Sequence, residues 1–425
     1  MEKEKENAGK PLEEKWHFGH NKAAAAAGSR SIRGTLSKVI ASVEETGPRP
    51  LIQLGHGDPS PFPSFRTTPI AEDAILEAVK SAQYNHYSPS SGLLPARRAV
   101  AEYLSKDIPY KLSSDDIFLT AGCAQAIDIV IAALARPDAN ILLPRPGFPL
   151  YDARCTFYNV EMRHFDLIPE QGWELDLDQV EKLTDENTVA IVLINPNNPS
   201  GSVLKYQHME EIAKTARKLG IMVISDEAYG HLTFGSNPFI PMGVFGDVVP
   251  ILTLGSISKR WVVPGWRLGW IAMTDPKGIL SETKVIDSIR SILDITINPV
   301  TFIQGAIPQI IEKTKDDFFN NIIHVLRGAA ELCYNKIKDI KCITCPHKPE
   351  GSMFVMVKLN LSYLVDISDD VDFCIKLAKE DSVIICPGSV LEMKNWLRIT
   401  FAIEPASLEV GLERLKSFCE RHGKN

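Results

Sequence analysis

ILTLGSISKRWVVPGWRLGWIAM, residues 251–273, contains two apolar runs, ILTLG (251–255) and LGWIAM (268–273), joined by a link that carries Lys259 and Arg267 among tryptophans. Short apolar runs without polar alternation suit strands buried on both faces. The link holds Pro264 and Gly265 and leaves no room for the crossover helix that two parallel strands require. The second run is therefore predicted to return antiparallel to the first. That return would bring Arg267, at the start of one strand, beside Lys259, just past the end of the other. Burying an ammonium without a partner is expensive, so these cations either snorkel to water or have an anion to hold.

Outward from this stretch, residues 115–275 repeat one grammar: an apolar run, a polar or Gly-rich turn, and in several cases an amphipathic segment. The further runs are IFLT (117–120), ILLP (141–144), VAIVLI (189–194) and IMVIS (221–225). Between them Ile127, Val130, Ile131 and Leu134 fall at helical spacing before Pro137, and Met209, Ile212, Ala213 and Ala216 form one face that stops at Gly220. The pattern predicts an α/β fold whose large domain (76–310) holds a mostly parallel, seven-stranded-type sheet flanked by helices, with one antiparallel strand. A long helix over 316–340 and separate strands at EGSMFVMVKL, VIICPG and WLRITF predict a smaller α+β domain over 311–425, joined by residues 31–75.

Composition narrows the function. With 44% hydrophobic and 23% charged residues, the chain can bury a large core. A net charge of -7 gives no reason to expect nucleic acid or anionic membrane as a partner, and no apolar run approaches a membrane span. Residues 1–30 are expected to be a disordered or extended tail, because the acid- and lysine-rich start offers little to bury. Those acids are unlike a transit peptide, so a cytoplasmic location is expected. The eight cysteines form no regular framework and are expected as reduced thiols. Cys342 and Cys345, with His347 nearby, lack a second ligand pair, and no metal is expected.

In open α/β sheets, ligands collect beyond the carboxyl ends of the strands. AGCAQ (121–125) follows IFLT, NPNNPSG (195–201) follows VAIVLI, DEAY (226–229) follows IMVIS, and SISK (256–259) follows ILTLG. A helix N-terminus at Gly122 and Cys123, the hydroxyls of Ser256 and Ser258, and Arg267 together make a phosphate site. Lys259, in an apolar pocket beside another cation, would be a neutral amine able to form a Schiff base with an aldehyde. A phosphorylated aldehyde satisfies both features. Pyridoxal 5'-phosphate is that molecule, and Asp226 is the acidic partner its ring nitrogen needs. Taken singly, each motif is an ordinary turn; their shared position at strand ends makes the joint reading.

NPNNPSG, SDEAY and SISKRWVVPGWRLGW, in this order, resemble the fold type I pyridoxal-phosphate aminotransferases of the aspartate aminotransferase superfamily. GHGDPSPFPSFRT, YNHYSPSSGLLPARRAVAEYL and ARPDANILLPRPGFPLY look most like the plant tyrosine aminotransferase branch. The resemblance implies an aromatic amino acid, tyrosine or phenylalanine, as amino donor and a 2-oxo acid such as 2-oxoglutarate as acceptor. It implies that Lys259 binds the cofactor and moves the Cα proton, that Asp226 holds the pyridine nitrogen, that Tyr229 and Asn198 bond the ring oxygen, and that Phe148 stacks on the ring. Gly122, Cys123, Ala124, Ser256, Ser258 and Arg267 would hold the phosphate. Tyr87 would reach the phosphate of a second copy, implying a homodimer with shared active sites. Arg398 would grip the substrate α-carboxylate, assisted by Asn198 and the backbone near Gly57, although an arginine on the strand WLRITF is by default half-exposed. SIRG (31–34) departs from the Asn-Pro-Ile-Arg common in the branch, and no residue for a distal carboxylate is identified. A carbon–sulfur lyase with the same cofactor and a nicotianamine-type aminotransferase stay open as alternatives. A catalytically silent relative is disfavoured by the intact residue set, and a nicotinamide dehydrogenase by the lack of G-x-G-x-x-G after any strand.

Overall fold

The structure is a computed structural model that describes residues 19–42 and 49–424. The larger sheet has eight strands, ordered in space Ile117–Thr120, Gly269–Thr274, Ile251–Ser256, Met222–Asp226, Thr188–Ile194, Asn140–Arg145, Glu161–Ile168 and Glu174–Leu175. Strand Gly269–Thr274 pairs antiparallel with both neighbours, in the register Ser256↔Gly269, as the short link after Lys259 requires. The central strands are parallel. Two strands were not visible as apolar runs. Glu161–Ile168 is mostly half-buried and alternates little, with polar residues at half of its positions, and the two-residue Glu174–Leu175 adds a second antiparallel strand at the edge.

The absence of alternation in the central runs has its cause in the packing. Along Thr188–Ile194, Ala190, Val192 and Ile194 pack with helices Cys123–Leu134 and Val285–Ile295, whereas Ile191 and Leu193 pack with helix Tyr206–Leu219. Each strand is covered on both sides, so each position is apolar. Helix Tyr206–Leu219 ends where Gly220 adopts φ 71°, a left-handed conformation that accepts a residue without Cβ.

The smaller domain centres on an antiparallel sheet ordered Ile343–Thr344, Phe354–Leu359, Trp396–Thr400 and Cys386–Pro387. Helices Asp316–Ile337, Asp370–Asp381 and Pro405–Arg421 cover it, and Leu36, Val39, Ile52, Leu54 and Phe65 enter the same core. Ile52–Gln53 pairs parallel with Val383–Ile384.

Most of the expected N-terminal tail, residues 1–18, lies outside the described residues. Its remainder is not extended: Lys22–Ser29 is a helix, because a run of alanines follows Asn21, whose side chain accepts the Ala24 amide at 3.1 Å. All eight cysteines are unpaired.

Candidate active site

One cavity of about 730 Å³ opens where the carboxyl ends of the parallel strands meet the small domain. Gly57, Cys123, Ala124, Phe148, Asn198, Asp226, Tyr229, Ser256, Ser258, Lys259, Arg267 and Arg398 all line it, although they come from seven separate segments.

At one corner lies the start of helix Cys123–Leu134, whose first amides have no acceptor within the helix. The buried hydroxyls of Ser256 and Ser258 adjoin it. Arg267 completes the corner in a left-handed backbone conformation, φ 53°, its guanidinium donating to Pro264 O at 2.7 Å and Ala121 O at 3.0 Å. Gly122 acts here by lacking a side chain. At φ 79° and ψ 170° it occupies a region nearly closed to other residues, and a Cβ would stand 2.3 Å from an Arg267 nitrogen. Its amide is committed to Thr120 O at 2.7 Å, so the amides left for a ligand are those of Cys123 and Ala124, a correction to the sequence reading.

Asp226, 5% exposed, ends its strand with its carboxylate turned into the cavity. Tyr151 donates to its Oδ2 at 3.0 Å, the Ala228 amide donates to Oδ1 at 3.1 Å, and the Cys123 thiol lies 3.7 Å away. Burial raises the Asp226 carboxyl above its ordinary range, opposed by these donors. A cation placed against it would restore the charged form. Tyr151 is the functional residue that sequence reasoning missed. Its only signal was a phenol inside the apolar opening of the helix that follows RPGFP.

Lys259 Nζ donates to Gly57 O at 2.5 Å and sits 5.8 Å from the centroid of the Tyr229 ring. Burial lowers its ammonium from 10.5 to about 8; Asp58 opposes the fall, and Arg398 and Arg267 add to it. A far larger fraction of the amine than in a free lysine is thus neutral near physiological pH, the form a nucleophile needs. Tyr229 is buried, which raises its phenol and keeps it protonated.

Arg398 is 3% exposed, not half-exposed, because strand Trp396–Thr400 runs between two others and the large domain covers it. It donates to Asn198 Oδ1 at 3.1 Å and Gly55 O at 2.9 Å, and lies 4.3 Å from the centroid of Phe354. Its Nε is buried without a partner among the described residues. A buried guanidinium with an unused donor beside a cavity is poised for a carboxylate.

Ser31, Ile32 and Arg33 also reach the cavity, so the SIRG segment does border it. Tyr87 does not; it is fully exposed at 101%. The tryptophans of the opening stretch are not cavity walls either. Trp261 and Trp270 are buried in the core that carries helices Leu94–Leu104 and Thr301–Lys313.

The family profile described as "Aminotransferase class I and II" matches residues 49–415. The chain belongs to this family. Its fold and cofactor follow: members use pyridoxal 5'-phosphate, and the free helix amides, paired hydroxyls and arginine, the carboxylate and the readily deprotonated amine fit that molecule's phosphate, ring nitrogen and aldehyde. Among curated proteins it is 63% identical to nicotianamine aminotransferase 1 of Oryza sativa subsp. japonica, over 95% of this chain and 82% of that protein. It is 51% identical to an S-alkyl-thiohydroximate lyase of Arabidopsis thaliana, over 96% of this chain and 88% of that one. Among solved structures, tyrosine aminotransferase from Leishmania infantum superposes with a TM-score of 0.89 at 30% identity, over 96% of this chain and all of that one. Among the described residues of this aminotransferase, no helix is long and apolar enough to cross a membrane.

Proposed function

We propose that this aminotransferase moves the amino group of a large α-amino acid, tyrosine or phenylalanine, to a 2-oxo acid such as 2-oxoglutarate. The observation that carries the proposal is the single cavity around which Lys259, Asp226 and Arg398, with its unused Nε donor, converge. Its walls include Ile127, Phe148, Leu150 and Phe354, an apolar surface suited to an aromatic side chain. When bound, pyridoxal 5'-phosphate supplies an aldehyde that condenses with amines and a ring that draws electrons away from Cα.

The chain's residues divide the remaining work. Cys123 and Ala124 amides, Ser256, Ser258 and Arg267 would hold the phosphate; Asp226, kept in place by Tyr151, would hold the ring nitrogen protonated; Phe148 would cover the ring, and Tyr229 and Asn198 would bond its oxygen. Arg398 binds the α-carboxylate and so fixes which bond at Cα faces Lys259. Lys259, as a free amine, would take the Cα proton and return it at the carbon that had been the cofactor's aldehyde, on the far side of the substrate nitrogen.

A second copy of the chain belongs to this reading. Tyr87 is wholly exposed, and Ile295 and Ile297, each 85% exposed, lie nearby through Asn298, whose amide bonds Ser88. Exposed apolar side chains beside a site are an interaction surface, and in a homodimer Tyr87 would meet the partner's phosphate corner.

Two other donors have specific support. Identity to the Oryza protein favours nicotianamine, and identity to the Arabidopsis lyase favours carbon–sulfur cleavage. A visible absorption spectrum separates them. The bound cofactor's band should bleach with tyrosine and return with 2-oxoglutarate. Bleaching by nicotianamine alone would replace the aromatic donor, and release of ammonia without any acceptor would replace transamination by elimination.

A further inference from the structure

Behind the active site lies a second cavity of about 40 Å³, bordered by Tyr103, Glu227, His231, Arg260 and Trp270. Ala228 and Ser256 border both cavities, so they stand back to back. Asp226 and Lys259 line the large one, and their chain neighbours Glu227 and Arg260 line the small one. Each of the two turns therefore presents one charged group forward and a group of like charge behind, acidic in one turn and basic in the other.

The rear charges do not meet directly. Glu227, 9% exposed, uses Oε1 to accept from Ser225 Oγ at 2.9 Å and the Met242 amide at 2.8 Å, while Oε2 takes no donor among the described residues. Arg260 gives one nitrogen to the Tyr103 hydroxyl and lies 4.4 Å from the centroid of Phe319. Its Nε and the Trp270 Nε1 are buried donors with no acceptor among the described residues. A buried donor left unmade costs about 1–3 kcal/mol, and a buried charge costs more unless it is hydrogen-bonded. A water needs roughly 10–15 Å³ of such space and two to four polar partners. The chamber offers space for about three waters and the partners to fix them.

We propose that the chamber holds a fixed water cluster linking Glu227 Oε2 to Arg260 Nε and Trp270 Nε1, and that Glu227 and Arg260 are thereby positioning residues for Asp226 and Lys259. The positioning half rests on the roles proposed above for those two residues; the water cluster does not. Burial pushes the Glu227 carboxyl up to about 7, against the Met242 and Ser225 donors, with Asp226 and Asp107 adding to the rise. Arg260 faces it as a permanent cation, His231 is engaged 3.0 Å from Asp107, and burial keeps Tyr103 neutral. Above about pH 7 the cluster bridges opposite charges, and below it the carboxyl becomes a neutral donor.

A crystal structure of the wild-type holoenzyme tests the cluster. Ordered waters within hydrogen-bond reach of both Glu227 Oε2 and Arg260 Nε are expected, and a dry chamber would overturn the proposal whether or not the enzyme transaminates. Glu227→Gln and Glu227→Asp test the positioning. In Glu227→Gln, kcat should fall on the order of tenfold, less than the hundredfold of a 1 Å misplacement, with KM little changed. An inflection near pH 7 in kcat and in the cofactor's visible band should vanish in Glu227→Gln and persist in Glu227→Asp. Wild-type pH curves that coincide with those of Glu227→Gln would refute it. If Glu227→Gln does not fold, Arg260→Lys, which keeps the charge but loses the Nε donor, should give the same loss in kcat.

Discussion

Replacing Gly122 by alanine should weaken the cofactor site through a residue that need not touch the cofactor. The new Cβ would lie 2.3 Å from one Arg267 nitrogen and 2.7 Å from its Cζ, so the guanidinium must move. The backbone, at φ 79° and ψ 170°, adds strain of about 1–3 kcal/mol for a residue with a side chain. Displacement also threatens the bonds of Arg267 to Pro264 O and Ala121 O, each worth about 1.5–3 kcal/mol as charged hydrogen bonds. Losing one comparable bond from Arg267 to the phosphate raises the Kd for pyridoxal 5'-phosphate by roughly 10- to 150-fold. Titration of the apoenzyme with cofactor, followed in the visible band, measures the affinity, and a thermal melt measures the strain. Gly220→Ala is the control: φ is 71°, but nothing lies within 4 Å of its Cβ, so it should destabilise by about 1 kcal/mol and leave cofactor affinity unchanged. Wild-type affinity in Gly122→Ala, or equal losses in both variants, would show that Arg267 is not held as described.

Three further outcomes follow from the same geometry. Lowering the Lys259 ammonium from 10.5 to about 8 means that below pH 8 the folded apoenzyme carries a buried charge that the unfolded chain carries freely. Its stability should rise with pH from about 8 to 10.5, and Lys259→Ala should flatten that rise and gain up to about 3 kcal/mol at pH 7 in urea melts; an unchanged pH slope would contradict the burial argument. Arg398→Lys cannot serve Asn198, Gly55 and a carboxylate together, so KM for donor and acceptor alike should rise on the order of 10- to 100-fold in steady-state assays. Tyr151→Phe removes one donor from Asp226 and should cost about 1 kcal/mol in cofactor affinity, with the thermal melt showing a similar loss.

Much of the site was legible because it is local. NPNNPSG, DEAY and SISK each follow a buried strand, and a parallel sheet brings such ends to one edge whatever the details of packing. The antiparallel return of Gly269–Thr274 was legible for a similar reason, since a short link admits one geometry. Strand Glu161–Ile168 escaped because it lies near the sheet edge and keeps polar residues on its open face. Residues 22–29, inside the stretch expected to be disordered or extended, are helical through the alanine propensity of 23–27 and the Asn21 cap.

The amino-acid sequence by itself determined the α/β framework, the order of its strands' polar ends and the chemistry those ends offer, because periodicity and turn residues act over a few positions. Only the tertiary structure decided which side chains meet across the two domains. Arg398 is buried because Asn198 and Gly55, 200 and 343 residues away, satisfy it. Gly122 matters because Arg267, remote in sequence, passes over it, and Tyr151 because its helix places a phenol against Asp226. The unpaired donors of Arg260 and Trp270 likewise exist only once the sheet has closed around them. Such contacts are set by the packing of whole elements, and no spacing along the chain encodes them.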